Sequence, residues 1–184
     1  MTTSYVALLR GVNVGGRGKV SMEGLRRAVS GTGVHRVRTY IQSGNVLFDG
    51  PDGPADQVAA RLARQFESDL GLVTTVVLRT AEQLRAVVAA NPFADVDLAT
   101  VHVTFLDQAP DPERTAALEP PSVGGDRWSA GNREIYLHCP DGYGRTKLTN
   151  GFFERRLKVP ATTRNWRTVV TLDQLVRVPP GEPG

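Results

Sequence analysis

The chain has 184 residues, of which 40% are hydrophobic, so it can form one domain or two small ones and is too apolar to be disordered. Its net charge of +3 is a modest basic bias, and no run approaches the roughly 20 apolar residues of a membrane span. Since the N-terminus also lacks the pattern of a signal peptide, we expect a cytoplasmic protein. One cysteine excludes an internal disulfide, and three scattered histidines argue against a metal site, so we expect no cofactor and no metal.

The first half of the chain has the pattern of a β-α-β-β-α-β unit. The predicted elements are strand 5–9, helix 21–29, strand 34–40, strand 46–48, helix 55–70 and strand 73–78. Ser21 can cap the first helix, and Gly71 can end the second. Residues 43–45, Ser-Gly-Asn, form a hairpin turn, and a loop is predicted from Asp49 to Pro54.

The second half repeats much of this pattern. The predicted elements are helix 80–90, strand 101–106, helix 112–118, a strand at 128, strand 134–138, helix 149–158 and helix 163–176. The turn at 130–132, Ala-Gly-Asn, resembles the turn in the first half. Thr80 and Gln83 form a capping box for the helix that links the halves. A helix is predicted where the last strand of the pattern would stand.

We therefore predict an α+β protein of two ferredoxin-like units, the second a helical-ended variant. The first unit covers residues 1–79 and the second covers 80–178, with a tail at 179–184.

A glycine-rich stretch from Arg10 to Lys19 lies between the first strand and the first helix. Glycines let a backbone approach a ligand, and N–H groups at a helix start point outward, so this order suits an anion site. The P-loop would need Gly at Asn13 and Ser or Thr at Val20, and the dinucleotide fingerprint would also need Gly at Asn13. The alternative is a flexible connection that uses glycine for positive φ.

In a ferredoxin-like sheet the first and third strands are antiparallel neighbours, so the loop after one meets the hairpin before the other. This topology brings two polar segments together. The ligand-binding residues predicted here are Arg10, Asn13, Gly15, Gly16, Lys19, Gln42, Ser43 and Asn45. The alternative for Ser43 and Asn45 is that they only satisfy the backbone of the turn.

Cations stand at three predicted helix starts, where the helix dipole favours negative side chains. These cations are Arg17 and Lys19, Arg145 and Lys147, and Arg164 and Arg167. An anionic ligand would offset the repulsion, and so would salt bridges within the protein. Arg145, Lys147, Arg164 and Asn165 complete the predicted ligand-binding set.

Five motifs cover nearly the whole chain. They are 9–16 (LRGVNVGG), 39–46 (TYIQSGNV), 91–93 (NPF), 145–148 (RTKL) and 161–166 (ATTRNW). In these motifs the chain resembles the bacterial domain-of-unknown-function 1697 family. Thr146 stands where that family is expected to have Ser, which keeps a hydroxyl. The resemblance implies a two-part protein of ferredoxin-like character and no established activity.

Two functions remain open. One is a binding module for nucleic acid or a phosphate-bearing small molecule at the basic, glycine-rich cleft. The other is an enzyme that acts on a phosphorylated small molecule, with Lys147 or Arg10 stabilising charge. Ser43 lacks the Gly-x-Ser-x-Gly elbow of hydrolases, and the chain lacks the aromatic consensus of single-stranded RNA readers. Binding is favoured, and the sequence leaves the oligomeric state open.

Overall fold

The structure, a computed structural model, describes residues 2–12, 19–51, 53–121 and 124–178. The chain divides into two compact units, Met1–Arg85 with Leu172–Gly184, and Ala86–Thr171. We call them unit 1 and unit 2. The sequence prediction placed the boundary after residue 79 and the whole last helix in the second unit.

Unit 1 contains six elements before the boundary. They are β1 (Thr2–Leu9), α1 (Met22–Ser30), β2 (His35–Tyr40), β3 (Asn45–Pro51), α2 (Ala55–Leu70) and β4 (Val76–Thr80). The strands form one antiparallel sheet in the order β2-β3-β1-β4. This is the ferredoxin-like order, with β1 at the centre.

The rest of the chain continues with the same kinds of elements. They are α3 (Ala81–Ala89), a 3-10 turn (Leu98–Thr100), β5 (Val101–Leu106), α4 (Pro112–Ala116), β6 (Arg127–Ala130), β7 (Glu134–His138), α5 (Asn150–Leu157), β8 (Ala161–Asn165) and α6 (Trp166–Arg177). The second antiparallel sheet has the order β6-β7-β5-β8, which repeats the order of the first. The predicted fold class of two ferredoxin-like units is therefore confirmed.

The prediction that a helix replaces the last strand of unit 2 is wrong. Residues 161–165 form β8, which pairs with β5, and consecutive threonines there favour extended backbone. Helix α6 begins only at Trp166, because the side chain of Asn165 accepts a hydrogen bond from the Thr168 N–H at 2.8 Å. The apolar spacing that predicted a helix belongs to α6 alone.

Several predicted helix ends are confirmed by their hydrogen bonds. The Ser21 hydroxyl accepts from the Gly24 N–H at 3.0 Å, and α2 ends at Gly71, whose φ is 61°. The Thr80 N–H donates to the Gln83 side chain at 3.0 Å, and the Gln83 N–H donates to the Thr80 hydroxyl at 3.2 Å. This reciprocal pair is the predicted capping box, and it begins α3.

The third strand of unit 1 is longer than predicted. The sequence placed a loop from Asp49 onward, but β3 continues to Pro51. Asp49 is buried there. Its carboxylate accepts a hydrogen bond from the Ser4 hydroxyl at 2.8 Å and forms an ion pair with Arg36. A carboxylate with both partners can lie within an inner strand of a sheet, which composition alone does not indicate.

Each unit has an apolar core between one face of its sheet and its helices. In unit 1 this core includes Leu9 of β1, Leu25 of α1 and Phe66 of α2. In unit 2 it includes Leu137 of β7 and Phe153 of α5. No helix in the described part of the chain is long and apolar enough to cross a membrane.

We expect Asn165→Ala to lower the free energy of unfolding by about 0.5–2 kcal/mol, because the Thr168 N–H loses its cap. Asn165→Asp, which keeps a capping oxygen, should cost much less. Urea unfolding of both variants measures the difference. Equal stability of the two variants would contradict the capping role.

Candidate functional site

The loop after β1 meets the hairpin before β3, as the topology predicted. The Leu9 N–H donates to the Gly44 carbonyl at 2.8 Å, and Leu8 lies opposite Asn45 in the sheet. Gly44 has φ of 75°, and a Cβ there would lie 3.0 Å from the Cβ atoms of Leu9 and Val12. Glycine is therefore required at the turn for both backbone angle and space.

Asn45 belongs to the turn itself. Its side chain is 0% exposed, and its amide nitrogen donates to the Tyr40 carbonyl at 3.1 Å and to the Ser43 hydroxyl at 2.9 Å. These contacts favour the structural alternative for Ser43 and Asn45. A ligand could reach Asn45 only if the hairpin opened, whereas Gln42 is exposed beside it.

Arg10 and Lys19 are exposed at the two described ends of the glycine-rich stretch. The Arg10 N–H donates to the Thr75 carbonyl at 3.1 Å, and the Arg10 carbonyl accepts from the Thr74 hydroxyl at 2.8 Å. The backbone is thus held while the residue remains exposed. Three other predicted ligand-binding residues, Asn13, Gly15 and Gly16, lie outside the described residues.

In unit 2, Arg145 and Lys147 are exposed, and the residue between them is buried. That residue, Thr146, donates its hydroxyl hydrogen bond to the Asp126 carboxylate and accepts from the Leu148 N–H at 3.0 Å. Thr146 therefore holds the loop in place with the hydroxyl that a serine would also supply. The loop presents its two cations just before the start of α5.

Arg164 does not open a helix, because it lies within β8 and is only 8% exposed. Its guanidinium donates to the Thr162 hydroxyl at 2.7 Å and to the Thr163 carbonyl at 2.9 Å. Burial lowers its pKa to about 10. The position predicted for it at an accessible helix start is thus corrected. Asn165 is exposed, and its side-chain oxygen caps α6.

Positive charge is concentrated in residues 142–158, the loop before α5 together with that helix. We call it the basic segment. It holds five exposed cations, Arg145, Lys147, Arg155, Arg156 and Lys158, and a single acid, Glu154, a net charge of +4. The other 17 cations and 18 acids leave the rest of the chain at −1. A local charge count would have found this segment.

Contacts within the basic segment leave its cations facing outward. Glu154 is half-buried and accepts a hydrogen bond from the Ala161 N–H at 3.0 Å. The Arg156 guanidinium lies 5.8 Å from the centre of the Phe152 ring, a cation–π contact that keeps the charge exposed. The corresponding helix of unit 1, α2, has two arginines and three acids and a net charge of −1.

A polar cluster in unit 2 includes two residues of the basic segment, Tyr143 and Asn150, and three residues of the sheet. It consists of His102, Thr104, Tyr143, Asn150 and Thr163, which the sequence analysis did not group. The Thr163 hydroxyl donates a hydrogen bond to the Asn150 side chain at 2.6 Å. Because its proton is used there, the Thr163 oxygen accepts a second hydrogen bond from the Thr104 hydroxyl at 2.7 Å. The cluster thus links β8, whose Thr163 belongs to motif 161–166, with β5 and with the start of α5.

A neighbouring carbonyl determines which ring nitrogen of His102 carries the proton. Nδ1 lies 3.3 Å from the Thr100 carbonyl, which can only accept, so Nδ1 carries the proton and Nε2 offers a lone pair. The ring stacks on Tyr143 at a centroid distance of 4.9 Å. Burial lowers the pKa of His102 and raises that of Tyr143, so both side chains are neutral at pH 7.

The described residues contain no group of three or more His, Cys, Asp or Glu side chains that could hold a metal ion. The one cysteine, Cys139, is fully buried in the core of unit 2. Burial raises the pKa of its thiol to about 11.

Residues 1–136 match the sequence profile of a family described as proteins of unknown function, DUF1697. A solved structure of a conserved bacterial protein from Streptococcus pneumoniae is 26% identical to the chain, with a TM-score of 0.74. The alignment covers 96% of this chain and 100% of that protein. No curated protein matches the sequence.

We expect Cys139 to resist alkylation at pH 8, because its thiol is buried and its raised pKa leaves almost no thiolate. Iodoacetamide should label Cys139 in the unfolded protein and leave it unlabelled in the folded protein, and mass spectrometry measures the difference. Rapid labelling without denaturant would contradict the described packing.

Stability should depend on the protonation of His102. Since burial lowers its pKa, the unfolded chain binds more protons below about pH 6.5, and the free energy of unfolding should fall as the pH drops through this range. His102→Gln should reduce this fall, whereas His35→Gln, at an exposed histidine, should not. Urea titrations at about pH 7.5 and 5.5 compare the three proteins. An unchanged pH dependence in His102→Gln would contradict the assignment.

Proposed function

Because the chain belongs to the DUF1697 family, which is described only as of unknown function, we propose from its own residues that it binds a phosphate-bearing ligand, and that this ligand is nucleic acid. The observation that carries the proposal is the charge of the basic segment, +4 in a chain of net +3. We further propose that the protein is bacterial, like the similar protein of known structure, and that it meets nucleic acid in the cytoplasm.

The spread of the cations favours a phosphate backbone over a single phosphate. The eight residues of α5 extend for about 12 Å, and cations stand before, within and directly after the helix. One phosphate would occupy two or three cations in one place, whereas a strand presents a row of charges. Arginine predominates over lysine in the helix itself, which suits bidentate contacts to phosphate oxygens.

The glycine-rich stretch of unit 1 supplies a second set of contacts in this proposal. Arg10, Lys19 and Gln42 are exposed around the described part of that loop and the hairpin. We keep Asn13, Gly15 and Gly16 as predicted contacts, since free backbone N–H groups in a glycine-rich turn suit phosphate oxygens. Arg145 and Lys147 keep their predicted role within the basic segment.

Binding of a labelled single-stranded oligonucleotide should weaken steeply with salt, with a log–log slope of about −0.7 for each phosphate contacted. Arg155→Ala combined with Arg156→Ala should weaken binding and make the slope shallower by about 1.4, because two phosphate contacts are lost. Fluorescence anisotropy at several salt concentrations measures both effects.

The matched control is Arg61→Ala combined with Arg64→Ala, which removes two exposed arginines from α2. It makes the same change in net charge at the corresponding helix of unit 1, so it should leave affinity and slope nearly unchanged. Equal losses in the two double variants would show a response to total charge alone and would refute the proposed surface.

A second candidate function is an enzyme that acts on a phosphorylated small molecule. The observation that favours it is the free Nε2 lone pair of His102, a neutral acceptor stacked on Tyr143, whose loop also carries Lys147. His102 would then act as a general base and Lys147 would stabilise phosphate charge. Turnover of a phosphate ester that is lost in His102→Gln, together with no oligonucleotide binding by either protein, would support this function over the first.

A further inference from the structure

A groove of about 720 Å³ lies between α4 and the edge strand β6 of unit 2. We call it the α4 groove. Its apolar lining includes Pro110, Pro112, Leu118, Trp128 and Ala130, and none of its lining residues is charged. Trp128 is only half-buried there, although it packs against the core of unit 2. The groove thus continues the apolar core of unit 2 to the surface, and no described residue of unit 2 covers it.

The helix between the first two strands differs in length between the two units. In unit 1 the helix between the first and second strands is α1, which has nine residues and buries Leu25, Ala28 and Val29. In unit 2 the corresponding helix is α4, which has five residues and buries none. The two sheets have the same strand order, and the α4 groove lies beside the helix that is shorter in unit 2.

The charges beside the groove indicate the polar face of its partner. The segment 111–119, which contains α4, has three exposed acids, Asp111, Glu113 and Glu119, and one exposed cation, Arg114. The lining itself is uncharged, so a partner needs an apolar stripe toward the groove and basic residues toward the α4 side.

From these observations we propose that the α4 groove binds an amphipathic, basic helix of a partner protein. The helix supplies the turns that α4 lacks and places apolar side chains at i, i+3, i+4 and i+7 against Trp128 and Leu118. This interaction surface is separate from the phosphate-binding residues of the basic segment and does not depend on the proposed nucleic-acid function.

The probe is a fluorescein-labelled peptide of about 14 leucines and lysines with leucine at helical spacing. A second peptide of the same composition alternates leucine and lysine and forms a strand. A third peptide has glutamate in place of lysine at helical spacing. We expect the first to bind the full-length protein at least about tenfold more tightly than either control, which corresponds to about 1.4 kcal/mol.

Two arginine variants at neighbouring positions, the last residue of α4 and the residue after it, test the location of binding. Ala116 lines the groove and Ala117 does not, and both are exposed. Ala116→Arg should weaken the helical probe about tenfold, whereas Ala117→Arg, with the same change in charge, should weaken it less than about twofold. Circular dichroism of both variants confirms that they are folded.

The remaining outcomes overturn the proposal. Tighter binding of the alternating peptide would show that β6 recruits a strand, and equal losses in the two arginine variants would show unspecific attraction. Failure of all peptides to bind would show that the groove takes no helix. A dimer that Ala116→Arg alone converts to monomer would show that a second copy of the chain covers the groove.

Discussion

Pairing of the central strand on both sides is the constraint on which each unit depends. β1 lies between β3 and β4, and β5 lies between β7 and β8. Each central strand then forms the same link, a hydrogen bond from its last residue to the hairpin: Leu9 to the Gly44 carbonyl and Leu106 to the Arg133 carbonyl, both at 2.8 Å. This link fixes which loops meet at the end of each sheet.

Two units with one topology differ in the helices that pack on their sheets. Unit 1 has a full-length α1 and an acidic α2, whereas unit 2 has a short α4 and a basic α5. The sheets of the two units therefore have the same topology, and the units differ in the length and charge of their helices. The positive charge of the basic segment and the open apolar groove both arise from those differences.

The sequence predicted those features whose causes are local. Helix caps at Ser21, Gly71 and Thr80 depend on residues within a turn of each other, so they were readable and proved correct. The extension of β3 was not readable, because Asp49 becomes compatible with a strand only through Ser4 and Arg36, which are distant in sequence. The sequence analysis missed β8 because its residues directly precede α6, so the helical spacing of apolar residues in α6 was extended back to residue 163.

For the site, sequence reasoning predicted which loops converge and could not predict which side chains remain accessible. Asn45 and Arg164 are polar residues in glycine- or cation-rich contexts, yet both are buried in their sheets. The polar cluster around His102 unites residues from four separate segments, and only the fold of unit 2 places them together. Local charge density, by contrast, was present in the sequence throughout residues 142–158.

The central claim is that unit 2 binds nucleic acid through the basic segment. Hydrogen–deuterium exchange with and without a single-stranded oligonucleotide tests it most directly, because it locates the contact without any substitution. The account predicts slower exchange across residues 142–158 and no change across α2, residues 55–70, which has the opposite net charge. Protection of α2, or of neither region at an oligonucleotide concentration that saturates binding, would contradict it.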